Sequence, residues 1–121
     1  MPDFAPVFAE LAELMKRNAP GMVVKKDGPD GLLLLAPWAH PRKPDEAMWF
    51  GSVRPGKAYV SYHLMPLYMN DTMLAKVPPE LKKRMQGKTC FNFKAADPAL
   101  FSELETLTRA CAEAYAKPLV L

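Results

Sequence analysis

Cysteine is scarce in this chain. Cys90 and Cys111 are the only two; they lie far apart in sequence and show neither the paired spacing of a zinc site nor the several partners of a disulfide framework. Both are read as reduced thiols. No apolar run approaches the roughly 20 residues of a membrane-spanning helix. The N-terminus offers Asp3 and an interrupted apolar pattern, where a secretory leader would carry a basic segment and a continuous apolar run. No membrane association is expected, and a cytoplasmic location follows. Neither sign of charge dominates: 16 Lys and Arg against 13 Asp and Glu give +3, with the cations spread from Lys16 to Lys117. A nucleic-acid binder of this size gathers its cations into a stripe with interleaved aromatics, so specific nucleic-acid binding is not expected. There is no Gly-x-Gly-x-x-Gly or Walker loop, no Ser-centred elbow and no paired-histidine motif. Neither a cofactor nor a metal is expected, and an enzyme reading starts without a motif-defined nucleophile.

What is present is an ordinary globular composition, 50% hydrophobic and 24% charged over 121 residues. That length supports one domain, 1–121, with a single core. An amphipathic helix is predicted from about Asp3 to Asn18, with Phe4, Val7, Phe8, Leu11, Leu14 and Met15 on one stripe and Pro6 in its first turn. Pro20 and Gly21 end it. Met22 to Lys26 and Leu32 to Ala36 flank Asp27-Gly28-Pro29-Asp30-Gly31 and read as a hairpin. A polar loop with Pro41 and Pro44 runs from His40 to Glu46 and is expected to be the most mobile segment. Met48 to Val53 and Lys57 to Met65 form a second hairpin around Arg54-Pro55-Gly56.

The chain then leaves the sheet through Pro66 to Asn70, with short helical turns near Asp71 to Ala75. Pro78-Pro79-Glu80 opens a further helix that runs from Pro79 to Gln86, and Gly87, in a left-handed conformation, closes it. Cys90 to Lys94 give a fifth strand, with Phe91 and Phe93 on one face and Cys90, Asn92 and Lys94 on the other. Asp97-Pro98 starts the last helix, striped by Leu100, Leu104, Leu107, Cys111 and Tyr115. The order α-β-β-β-β-α-β-α predicts an α+β two-layer sandwich: a mainly antiparallel sheet of about five strands, with the helices on one face.

Within this order, the strand Tyr59-Val60-Ser61-Tyr62-His63-Leu64, the connection from Leu81 to Met85 and the run Gly87-Lys88-Thr89-Cys90-Phe91-Asn92-Phe93 resemble the YdhG-like small domains, most of them of unknown function. The resemblance covers the C-terminal two-thirds of the chain and its motifs are structural. It also implies frataxin-like iron delivery as one mechanism. That chemistry wants an acidic ridge on the first helix and the next strand. Here the helix offers only Asp3, Glu10 and Glu13, and the strand carries Lys25 and Lys26.

Alternation places Tyr59, Ser61, His63 and Met65 on one face of the fourth strand. If the fifth strand lies nearby, Cys90 and Asn92 approach them, and an imidazole beside a thiol can take its proton for nucleophilic catalysis. The plainer reading is an outward sheet face that would carry such residues anyway. Trp49, Tyr59, Ser61, His63, Met65 and Asn92 are the candidate ligand-binding set. The wider cluster of Met48, Trp49, Phe50, Tyr62, Met65, Tyr68, Met69 and Met73 suits a soft apolar pocket, though most of it must fill the core. Lys82, Lys83, Arg84 and Lys88 form the densest basic cluster, a candidate anion site that helix-end charge complementarity also explains. His40 has no second ligand at metal spacing, and Cys111 falls on an apolar stripe. The expectation is a non-catalytic domain that binds a small apolar or amphipathic ligand, or a protein partner, beside the sheet. A small enzyme using Cys90 and His63 is the alternative. Self-association as a homodimer is expected from the hydrophobic content and an exposed strand edge.

Overall fold

The computed structural model describes residues 4–40, 42–69, 71–86 and 90–116. Apolar spacing sets its first helix, α1 (Ala5–Asn18): Val7, Leu11, Leu14 and Met15 turn inward while Glu10, Glu13 and Arg17 face solvent. Gly21, at φ +86°, supplies the left-handed backbone that turns the chain from helix into sheet. Four strands follow in hairpin succession: β1 (Val23–Gly28), β2 (Gly31–His40), β3 (Lys43–Pro55) and β4 (Val60–Leu64). Three short helices, α2 (Met65–Met69), α3 (Asp71–Leu74) and α4 (Pro79–Lys82), lead to β5 (Met85–Gln86) and β6 (Cys90–Phe93), and α5 (Pro98–Ala114) comes last. The sheet is antiparallel throughout, in the order β1-β2-β3-β4-β6-β5.

This is the expected α+β arrangement with one strand more than the sequence suggests. The extra strand is β5. Glu80 and the two prolines do start a helix, but it lasts one turn, with Leu81 as its buried residue. Beyond it the Arg84 carbonyl accepts the Asn92 N–H at 2.9 Å, so Met85 and Gln86 are drawn out as an edge strand instead of continuing the helix to Gln86. The left-handed closure at Gly87 lies outside the described residues. The segment from His40 to Glu46 is likewise no loose loop: β2 runs on to His40 and β3 begins at Lys43, with Ala39 opposite Ala47 and His40 opposite Lys43. The register breaks between Leu35 and Ala39, where Pro37 lies beyond the last β1 partner and no ladder bond is lost to it. Met65, expected as the last residue of the fourth strand, instead starts α2 immediately after β4, so Pro66 lies in a first helical turn rather than in a free exit from the sheet.

The helices gather on one face of the sheet. Phe50, Val53, Val60, Tyr62, Leu64, Phe91 and Phe93 point into that layer and are essentially inaccessible. Burying side chains of this size contributes roughly 1.5–3 kcal/mol each before chain entropy is counted, more than the roughly 1 kcal/mol of a single hydrogen bond. α5 crosses the strands through specific contacts. Phe101 meets Phe93 edge-on at 5.2 Å, Thr108 shares a 2.6 Å hydrogen bond with the Tyr62 hydroxyl, and Tyr115 packs beside Trp38 and Phe50. The Trp38 indole N–H also donates to the Tyr115 carbonyl at 2.9 Å, satisfying a group left free at the end of α5. Asp97 caps the other end, its carboxylate accepting the Leu100 N–H at 3.1 Å.

A bulge in β3 shapes the opposite face. Leu34 pairs with Gly51 and Leu35 with Trp49, so Phe50 is the extra residue and both Phe50 and Gly51 are buried. Trp49 is thereby turned out, half exposed at 50%. The bulge matters for function because it sets which side chains share the uncovered face.

Candidate functional site

The strand register builds the open face in rows. One row crosses all six strands as Lys26, Leu33, Ser52, His63, Cys90 and Gln86, each opposite the next. A neighbouring row runs Arg54, Ser61 and Asn92. Directly opposed residues of antiparallel strands share a face, so these two rows put Leu33 on β2, with the cation Lys26 beyond it on β1, and polar groups on β4, β6 and β5. None of Leu33, Ser52, Ser61, His63, Cys90 and Asn92 is fully buried.

His63 and Cys90 meet at the centre. The His63 Nδ1 lies 3.1 Å from the Cys90 Sγ, well within the distance at which imidazole and thiol can share a proton. Partial burial pushes the His63 pKa below its ordinary value, because the charged ring loses hydration. The neutral ring is therefore favoured, and in the tautomer protonated on Nε2 its Nδ1 accepts the thiol proton. Beside the pair runs a thread of side-chain hydrogen bonds: the Ser61 hydroxyl donates to Asn92 Oδ1 at 3.4 Å, and Asn92 Nδ2 donates to Gln86 Oε1 at 2.7 Å. The thread fixes the Asn92 amide orientation and continues the polar half of the face to the sheet edge.

Two depressions flank this polar half and share Tyr59. One, of about 450 Å³, is lined by Tyr59, Lys83, Arg84, Met85, Gln86, Asn92 and Lys94. The other, of about 420 Å³, lies along the turn from Arg54 to Tyr59 and reaches Ser61. Among the described residues neither lining includes a carboxylate. Around Trp49 a smaller hollow of about 170 Å³ is lined by Leu33, Trp49, Ser52, Arg54, Lys26 and Asp30.

The predicted ligand-binding set is thus distributed over one face. Ser61, His63 and Asn92 share the two rows, Tyr59 joins the basic depressions, Trp49 stands at the apolar end, and Met65 is half-buried at the start of α2. The predicted basic cluster divides. Lys83 bonds Glu80 at 3.1 Å, Lys82 stays exposed on α4, Arg84 turns to the cleft beside Tyr59, and Lys88 lies outside the described residues. Lys94 joins Arg84 in one depression, while Arg54 and Lys57 line the other. Lys94 follows from the alternation that places Asn92, whereas Arg54 needs the β3–β4 register.

The soft apolar pocket is mostly core: Met48, Phe50, Tyr62 and Met73 are buried, while Trp49 and Tyr68 are exposed. The Met69 side chain lies outside the described residues. His40 serves the β2–β3 turn, its Nδ1 accepting the Arg42 N–H at 3.0 Å. Cys111 is inaccessible on α5, and burial pushes its pKa up to about 12, which leaves it unreactive near neutrality. Cys90 and Cys111 are not joined to each other by a disulfide.

Among the described residues, no three His, Cys, Asp or Glu side chains group closely enough to hold a metal ion. Glu13 on α1, one of the acids an iron ridge would need, is tied to Lys16 at 2.9 Å. Among the described residues no helix is long and apolar enough to cross a membrane. Neither the protein-family models, nor the curated proteins, nor the solved structures contain a match to this chain.

Proposed function

We propose that the chain is a non-catalytic, cytoplasmic binding domain of YdhG-like type whose open sheet face holds a small amphipathic ligand. The observation that carries this reading is the gradient along the face, from Trp49 and Leu33 at one end to Ser61, His63 and Asn92 at the other. Half an indole in water leaves on the order of 100 Å² of apolar surface that a ligand can cover, worth about 2–3 kcal/mol. The polar rows then orient the ligand without supplying most of the affinity. The low cysteine count, two in 121 residues with no disulfide joining them, supports the cytoplasmic part of the reading, since that compartment keeps thiols reduced. Anilinonaphthalene sulfonate, an amphipathic anion, tests the whole. Its fluorescence should rise saturably with the native protein, and Trp49→Lys should weaken binding about tenfold or more with the melting temperature unchanged. An unsaturable signal, or one indifferent to Trp49, would sink the proposal.

The 3.1 Å contact of His63 with Cys90 favours a second reading, in which Cys90 is a nucleophile and His63 its base. Alkylation by neutral iodoacetamide separates the two. A nucleophile activated by its neighbour should react markedly more slowly in His63→Gln, and a merely exposed thiol should not.

A further inference from the structure

The thiol at the centre of the face stands beside a cationic cleft. Gln86 is the cross-strand partner of Cys90, and Asn92 is its same-face neighbour on β6, about 6.6 Å along the strand. Both also line the depression that contains Arg84 and Lys94. A molecule whose reacting atom reaches Cys90 Sγ therefore has its next few atoms over Asn92 and its far end between the Arg84 guanidinium and the Lys94 ammonium. Tyr59 offers a half-buried ring along that path. Lys83 is held by Glu80, whereas Arg84, which also borders a second depression with Glu80, Asp97 and Glu103, and Lys94 both line the cleft.

We propose that Cys90 undergoes thiol–disulfide exchange with small disulfides that carry carboxylates, His63 acting as base and Arg84 with Lys94 seating the anionic end; this rests on the nucleophile reading above. In the exchange, His63 Nδ1 takes the thiol proton as Cys90 Sγ attacks one sulfur of the disulfide. The new bond from Sγ forms as the S–S bond of the disulfide breaks, and the departing thiolate takes the proton from the imidazolium. One disulfide and one thiol give one disulfide and one thiol, so no further oxidant is consumed. The neutral state of His63 suits it to receive the proton, and the cations favour an anionic approach. Cys111, inaccessible in the core, has no part in the exchange.

The test uses the whole chain with two reagents of opposite charge, oxidised glutathione and cystamine, followed by intact-mass and peptide mass spectrometry. The mixed disulfide should form at Cys90 and not at Cys111, and a thiol reductant should reverse it. Oxidised glutathione should react about tenfold faster than cystamine at low ionic strength, with the difference shrinking as salt is added. Combining Arg84→Ala with Lys94→Ala should bring the two rates together, while His63→Gln should slow both. Thermal melts identify any variant that has lost its fold, and for such a variant Arg84→Gln with Lys94→Gln or His63→Asn is read instead. Equal rates for the two reagents in the native protein, or faster reaction with cystamine, would overturn the anionic preference. If iodoacetamide alkylation is slowed by His63→Gln while the disulfides are not distinguished by charge, the nucleophile reading survives and the substrate class fails. If neither reagent class depends on His63, both fail.

Discussion

His63 is a titrating group half removed from water, and its environment has a consequence for stability. Burial lowers its folded-state pKa below the ordinary 6.5, so between those two values the unfolded chain holds more protons than the folded one. Stability then rises with pH across that window: it is kept above about 6.5 and is lost as pH falls through 6.5 towards the folded value. Melting temperatures measured from about pH 7 to about pH 5 should decline less steeply in His63→Gln than in the native protein. Parallel declines would show that His63 titrates as freely folded as unfolded. Gly51 sets a different kind of limit. A Cβ there would lie 2.6 Å from the His63 carbonyl and 2.8 Å from the Met15 methyl, so Gly51→Ala must displace the β3–β4 ladder or α1. A loss of about 1–3 kcal/mol is expected by chemical denaturation, in keeping with overpacking of a close-packed site. The sequence shows a glycine inside a strand but nothing of the helix that presses on it. The outward placement of Ser61, His63, Cys90 and Asn92, by contrast, is legible from alternation alone, because strand side chains obey a period of two whatever their neighbours. That His63 and Cys90 touch is not legible, since it requires β4 and β6 to be neighbours with β5 set outside them.

Elements show the same division between local and distant causes. α1 and α5 are readable from their stripes, and Asp97-Pro98 announces the start of α5, because spacing and capping are properties of a few consecutive residues. What locks these helices together is not. Asn18, buried at the end of α1, donates to the Leu14 carbonyl at 2.9 Å and to Glu105 at 3.2 Å, and accepts from Arg109 at 2.8 Å. Arg17 bonds the same Glu105. These partners lie almost the whole chain away, so in the sequence Asn18 reads only as the last polar residue before Pro20. Asn18→Ala should leave Arg109 and Glu105 without their bridge and lower the unfolding free energy by about 1–3 kcal/mol with an unchanged denaturant slope. Lys83→Ala serves as the contrast. Its bond to Glu80 joins two exposed side chains, and its removal should change stability by less than about 0.5 kcal/mol. Equal losses would mean that the Asn18 bridge is no stronger than a surface pair. The short β5 was missed for a related reason: two residues carry no periodicity, and the bond from Asn92 to Arg84 that holds them is a tertiary one.

At the scale of the whole molecule the sheet has two edges and one face that no described helix covers, and they differ as places for a second copy to dock. β1 exposes Val23 and Val24, yet its register slips at Lys25 and Lys26 follows, so the ladder that a further strand would extend is both broken and charged. β5, at the other edge, is only two residues long. The exposed edge that suggested a homodimer in the sequence is therefore a poor template, and self-association is expected face to face instead, through Trp49 and Leu35. Six strands about 4.8 Å apart and roughly 17 Å long present on the order of 400 Å² per copy, near 800 Å² for a pair. That falls below the roughly 1,200 Å² of a stable interface, so the dimer should be weak and concentration-dependent. Light scattering over a concentration series should show the apparent mass rising towards twice the monomer, Trp49→Lys should abolish the rise, and Val24→Lys should leave it intact. Because ligand and second copy would cover the same indole, saturating anilinonaphthalene sulfonate should also return the protein to monomer. A constant monomer mass at high concentration would remove the dimer altogether, and a dimer that ignores both the probe and Trp49→Lys would place the contact elsewhere than on this face.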